Sequence, residues 1–170
     1  MGVSAPPGPD TLYIAVVGGG GDLPRRQREV AEAVGRAVAQ SGAVLVCGGL
    51  GGAMEAACRG ARAGGGLTVG ILPGGARGDA NPYVDIAVPT GLGEARNALV
   101  VRAADAVVAV AGEYGTLSEI ALALQAGIPV VGLDTWELGR AGEPDRAVVR
   151  AVDPAGAVAL AIDLARSARR

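Results

Sequence analysis

Ala106-Val107-Val108-Ala109-Val110, followed directly by Ala111-Gly112-Glu113-Tyr114-Gly115-Thr116-Leu117-Ser118-Glu119, decides how this chain reads. Five small or β-branched apolar residues in succession read as a buried strand, because a strand covered on both faces has no polar side to alternate with. Glycines and a threonine come next, and helical spacing then runs from Leu117 to Ala126. A strand that passes through a glycine loop into a helix aims free backbone N–H groups and the positive dipole end at one spot. That spot suits a phosphate.

The same grammar recurs outward in both directions. Tyr13–Val17 reads as the first strand, broken by Gly18-Gly19-Gly20-Gly21-Asp22, and Pro24 opens a helix to about Gln40 with Val30, Ala33, Val34, Ala37 and Val38 on one face. Ala43–Cys47 is the second strand, followed by Gly48-Gly49-Leu50-Gly51-Gly52 and a helix from Ala53 to Ala63. Leu67–Leu72 and Asp85–Val88 are the third and fourth strands. Gly91-Leu92-Gly93 precedes a helix carrying Glu94, Arg96 and Asn97. Strand 106–110, helix 116–126, strand Pro129–Leu133, a looser stretch from Trp136 to Asp145 and a helix from Pro154 to Ala168 complete the pass.

Strands alternating with helices at this spacing predict right-handed βαβ units in a doubly wound parallel sheet, helices on both faces, in an α/β Rossmann-like single domain. That domain is expected over 12–170, behind a flexible Pro/Gly-rich tail at 1–11. Glycine loops follow strands one, two, three and five. They therefore gather at the carboxyl edge, where open α/β sheets bind ligands.

Composition excludes more than it supplies. Half of the 170 residues are apolar, with 29 Gly, no Phe, one Trp and three Tyr, so the core must be built from Val, Ala, Leu and Ile. The net charge of −2 offers no field for nucleic acid. There is neither His nor Lys. Their absence removes Ser–His–Asp and Cys–His nucleophiles, histidine-ligated metals, Walker-type phosphate lysines and any pyridoxal-phosphate Schiff base. Cys47 and Cys58 lack metal or redox spacing and read as small buried hydrophobes. No apolar run approaches the roughly 18 residues that span a bilayer, which points to a soluble, cytoplasmic protein.

The glycine loops differ in what they suggest. Gly18–Gly21 is not a dinucleotide fingerprint, because Leu23-Pro24 stand where its third glycine would fall and no acid ends the second strand. Gly19 and Gly20 instead suit a tight turn that lets a ligand approach the backbone. Four glycines within Gly48–Gly52 lose much backbone freedom on folding, which favours the same purpose there. Thr116-x-x-Glu119 also fits a capping box, in which Glu119 would only satisfy the Thr116 amide. Arg96 at a helix start runs against the dipole preference, so it requires an anion nearby.

With these residues placed, the chain resembles the LOG-like superfamily, named for the plant Lonely Guy proteins and long mislabelled as lysine decarboxylases. The resemblance runs from about residue 13 to 165. Gly48-Gly49-x-Gly51 with Met54, Gly70-Ile71-Leu72-Pro73, Arg96 and Gly112-x-x-Gly115-Thr116-x-x-Glu119 carry it. The family motif has proline, glycine and lysine where this chain has Ala111, Glu113 and Asn97. In those respects it is similar to a bacterial branch related to molybdenum cofactor carriers.

The resemblance implies a phosphoribohydrolase that cleaves the N-glycosidic bond of a nucleoside 5′-monophosphate without a cofactor or metal. Arg96 and Glu119 would be its catalytic pair. Gly19, Gly20, Gly48, Gly49, Gly51, Met54, Asn97, Gly112, Gly115 and Thr116 would hold the ligand. The alternative is a carrier or sensor, without turnover, of a phosphorylated ligand such as molybdenum cofactor. Either way the implied partners are a small phosphorylated ligand and a second copy of the chain in a homodimer or larger homo-oligomer, with neither nucleic acid nor membrane.

Overall fold

The structure, a computed structural model, describes residues 7–169; residues 1–6 of the expected tail lie outside the described residues. Along the chain come β1 (Tyr13–Gly18), α1 (Arg25–Gln40), β2 (Val44–Cys47), α2 (Ala53–Ala63), β3 (Thr68–Leu72), β4 (Ile86–Pro89) and α3 (Asn97–Arg102). The second half holds β5 (Ala106–Val110), α4 (Tyr114–Gln125), β6 (Val130–Leu133), β7 (Leu138–Arg140), β8 (Glu143–Asp145), β9 (Val148–Arg150) and α5 (Pro154–Ala168).

Seven strands form one parallel sheet in the order β4-β3-β2-β1-β5-β6-β9, and β7 pairs with β8 as a separate antiparallel hairpin. The chain builds outward from β1 to β4 and then returns to lay β5 against the other side of β1, with Ile14 opposite Ala106 and Gly18 opposite Val110. The order therefore reverses between β1 and β5. At such a switch point the loops on the two sides diverge and leave a crevice at the carboxyl ends of the strands.

Alternate strand residues serve the two faces. Ile14, Val16, Leu45, Val108 and Val110 pack with Val34 and Val38 of α1, Ala57 and Ala61 of α2 and Ala161 of α5. Ala15, Val17, Val46, Val107 and Ala109 pack with Val100 and Val101 of α3 and Ile120 and Ala123 of α4. All five residues of β5 are buried, as its unbroken apolar run predicts. Small side chains also let α1 and α2 approach closely. A Cβ on Gly35 would overlap the Ala57 carbonyl, and one on Gly60 would overlap the Glu32 carbonyl.

Three features differ from the sequence expectations. β9 is a seventh strand that the sequence reading omits, and the looser stretch at 136–145 contains the β7–β8 hairpin. Three-residue strands flanked by Asp145-Arg146 carry too little periodicity to register. α4 begins at Tyr114, earlier than expected, with Glu113 as its N-cap, so Thr116 lies inside the first turn. The capping box is therefore absent: Thr116 is not the cap, and no side chain caps this helix. Among the described residues, no helix is long and apolar enough to cross a membrane.

Replacing Gly35 with Ala forces the α1 and α2 backbones apart and should lower stability by about 1–3 kcal/mol in chemical denaturation. Gly78→Ala, where nothing lies within 4 Å of the added carbon, should stay within about 0.5 kcal/mol of the parent.

Candidate functional site

Between α1, α2 and α4 the carboxyl edge holds a crevice of about 650 Å³. Three of the helices that surround it begin without a side-chain cap: α1 behind Pro24, α2 behind Gly52 and α4 behind Glu113. α5, away from the crevice, is capped conventionally, its Asp153 carboxylate accepting from the Gly156 N–H at 2.8 Å. The first amide of α2 is satisfied by the neighbouring loop, with Ala53 N–H donating to the Gly19 carbonyl at 2.8 Å. That contact needs Gly52 at φ +65°, since a side chain there would strike the Gly19 carbonyl. α1 and α4 keep their open amides, and neither has an acid in its first turn. Both direct partial positive charge into the crevice.

Its floor carries a buried ion pair. Arg96 comes from a 3₁₀ turn (Gly93–Arg96) that runs into α3, and Glu119 from the second turn of α4. Each residue is 7 % exposed, and Arg96 Nη1 lies 3.9 Å from Glu119 Oε1. That separation is an electrostatic contact, too long for a hydrogen bond. Arg96 Nε is buried with no partner at all. Burial pushes the Glu119 carboxyl up to about 7, with the Arg96 cation opposing the rise, and burial also lowers the Arg96 pKa. An orphaned buried donor is expensive unless something fills the crevice beside it.

Of the residues singled out in the sequence, Gly19, Gly20, Met54, Arg96, Asn97, Gly112, Gly115, Thr116 and Glu119 line this one crevice. Gly48, Gly49 and Gly51 lie behind or beside it. The Arg96 guanidinium passes over Gly48, where a Cβ would sit 2.7 Å from both Arg96 Nη2 and Met54 Sδ. Gly49, at φ +75°, packs against Leu72 and Gly70. Gly112, at φ +96°, leaves room for the buried Thr116 side chain. Glu113, the departure from the family motif nearest the amides, is solvent-exposed, and its carbonyl accepts from Trp136 Nε1 at 3.1 Å.

Gln27, Leu23, Pro24, Leu50, Pro73 and Glu94 also line the crevice and were not picked out in the sequence. Gln27 could have been found, being the third residue of a helix that opens after the β1 glycine loop. The cysteines sit beneath the site: Cys47 and Cys58 are fully buried, free, and 3.4 Å apart at sulfur, with Gly49 N–H donating to Cys47 Sγ. Among the described residues no cluster of acids and thiols is placed to hold a metal.

A family model described as the SLOG cluster4 family matches residues 11–158. An uncharacterised protein of Archaeoglobus fulgidus is 43 % identical over 122 residues, 72 % of this chain and 80 % of that one. Among solved structures, the molybdenum cofactor binding protein of Rippkaea orientalis superposes with a TM-score of 0.82 at 33 % identity, covering 92 % of this chain and 99 % of its own. The molybdenum cofactor carrier protein of Chlamydomonas reinhardtii gives 0.77 at 35 % identity, over 91 % and 98 %.

The raised carboxyl has a signed consequence. A group that binds its proton more tightly folded than unfolded stabilises the fold at low pH and loses that contribution as pH rises through the window between its two pKa values. For Glu119 the window runs from the ordinary 4.5 to about 7. Glu119→Gln should therefore raise the melting temperature relative to the parent at pH 8, with the advantage shrinking towards pH 4.5.

Proposed function

The chain belongs to the SLOG cluster4 family, and from that premise we propose that it binds and carries a small phosphorylated ligand, molybdenum cofactor in particular, without converting it. The observation that carries this reading is the pair of uncapped helix starts, α1 and α4, facing one crevice whose buried arginine has an unpartnered donor. Support comes from the two solved relatives, each sharing about a third of this sequence over nearly its full length.

The residues present suit such a cargo. The amides of Gly115 and Thr116 and the Thr116 hydroxyl would receive the phosphate, at a helix start built for an anion. Arg96 would give its free Nε–H to an oxygen of the ligand. Leu23, Leu50 and Met54 offer an apolar wall for a flat ring. Asn97, next to Arg96, adds an amide at the rim. Glu119 would be protonated when the ligand is in place, since a second anion raises its pKa further. Binding should therefore strengthen as pH falls through about 7.

One observation keeps a hydrolytic reading in play. A carboxyl poised near neutrality beside a cation can stabilise oxocarbenium character or orient water at a ribosyl carbon. In that reading the crevice takes a nucleoside 5′-monophosphate and releases the base, with Arg96 and Glu119 as the catalytic pair. Under either reading we propose a homo-oligomer acting in the cytoplasm. Ile86, Val88, Leu92 and Leu99, exposed around β4 and the start of α3, offer apolar surface for a second copy.

Purified protein mixed with molybdenum cofactor and passed over a desalting column should retain molybdenum and pterin in equal amounts. Arg96→Ala should weaken that retention about 10- to 100-fold, the range for a lost charge-assisted hydrogen bond. Incubation with a panel of nucleoside monophosphates, followed by chromatography, should show no free base. Base release that disappears in Glu119→Gln would replace the carrier reading with the hydrolytic one.

A further inference from the structure

A second cavity, of about 310 Å³, adjoins the crevice. Gln27 and Gly112 line both, so the two are lobes of a single cleft that meet beside the start of α4. The smaller lobe is walled by Asp134, Thr135 and Trp136, in the stretch after β6 whose purpose neither the sequence nor the carrier reading explains.

These walls are held in place by the loop between β5 and α4. Thr135 Oγ1 donates to the Ala111 carbonyl at 2.5 Å, and the Ala111 N–H donates to the Leu133 carbonyl at 3.0 Å. Trp136 Nε1 donates to the Glu113 carbonyl, and its ring lies against Tyr114 with centroids 5.5 Å apart. Ala111 and Asp134 both adopt φ +47°, a left-handed conformation that non-glycine residues seldom take. Among the described residues the Asp134 carboxylate has one charged partner, the exposed Arg26 guanidinium at 3.6 Å. An exposed pair at that distance contributes little and yields readily to a ligand.

We propose that the cleft accepts a ligand with two ring systems joined through a diphosphate. The diphosphate would sit at the amides of Gly115 and Thr116, beside the unpartnered, buried Arg96 Nε. One ring would occupy the main crevice. The other would lie in the smaller lobe on Trp136, with Asp134 accepting from two adjacent N–H groups of a 2-amino-4-oxopyrimidine edge, the edge shared by guanine and pterins. Stacking on an aromatic face tolerates many rings, and the carboxylate selects this one. The inference rests on the anion-binding reading of α4 and adds the second lobe to it.

Trp136 is the chain's only tryptophan, so its fluorescence reports the smaller lobe directly. Four probes separate the possibilities: inorganic pyrophosphate, GMP, diguanosine diphosphate (two guanosines bridged by a diphosphate) and its diadenosine counterpart, which lacks the amino–imino edge. Diguanosine diphosphate should bind at least 10-fold more tightly than GMP or the diadenosine compound by calorimetry, and should shield Trp136 from acrylamide. Asp134→Asn, which tolerates the left-handed backbone, should bring it down to the level of GMP while leaving pyrophosphate binding unchanged. If pyrophosphate binds but diguanosine diphosphate neither gains affinity nor shields Trp136, the second lobe is overturned and the anion site stands. If no probe binds, pyrophosphate included, both fall.

Discussion

A guanidinium and a carboxyl group lie 3.9 Å apart in the floor of the crevice, almost fully buried and too far apart to hydrogen-bond. Much of the surrounding backbone answers to that arrangement. Gly48 lacks a side chain so that Arg96 can cross it, Met54 closes over the same spot, and the 3₁₀ turn ahead of α3 delivers the arginine from below. A pair of this kind is a poor device for stability, because removing both groups from water offsets most of their attraction. Its presence makes sense as preorganisation, with charge and an unpartnered donor held ready in the floor of the crevice.

The helix starts follow the same logic. α5, outside the crevice, shows that this chain can cap a helix through a side chain, Asp153. Around the crevice it leaves α1 and α4 open and spends the first amide of α2 on joining the β1 and β2 loops. Each omitted cap forgoes roughly 1 kcal/mol. Local stability is given up around the crevice, which is the usual pattern where helix starts are kept for an anion.

How much of this could be read beforehand depends on the range of the signal. β5, α2 and α5 were legible because apolar runs, helical spacing, Pro154 and flanking glycines are all local. Nine of the twelve candidate residues share the crevice because the sheet topology gathers every β-to-α loop at one edge. T-x-x-E satisfies a capping pattern on paper and so places the start of α4 too late. Only the three-dimensional position of Arg96 shows why Glu119 turns inward instead. Gly48 and Gly49, expected from the sequence to approach a ligand, also make room for Arg96 and Leu72, a packing role that glycine spacing alone does not reveal. β9 is too short for its period to register, and the walls of the smaller lobe stay hidden because Thr135 and Trp136 are tied to Ala111 and Glu113, more than twenty residues away.

Every cationic side chain in this protein is an arginine. A guanidinium keeps its proton throughout the pH range of living cells and, unlike an ε-amine, is no substrate for lysine acetylation. The positive half of the crevice is thus set permanently at translation. Of the buried pair in its floor, Glu119 is the member whose charge changes near neutrality.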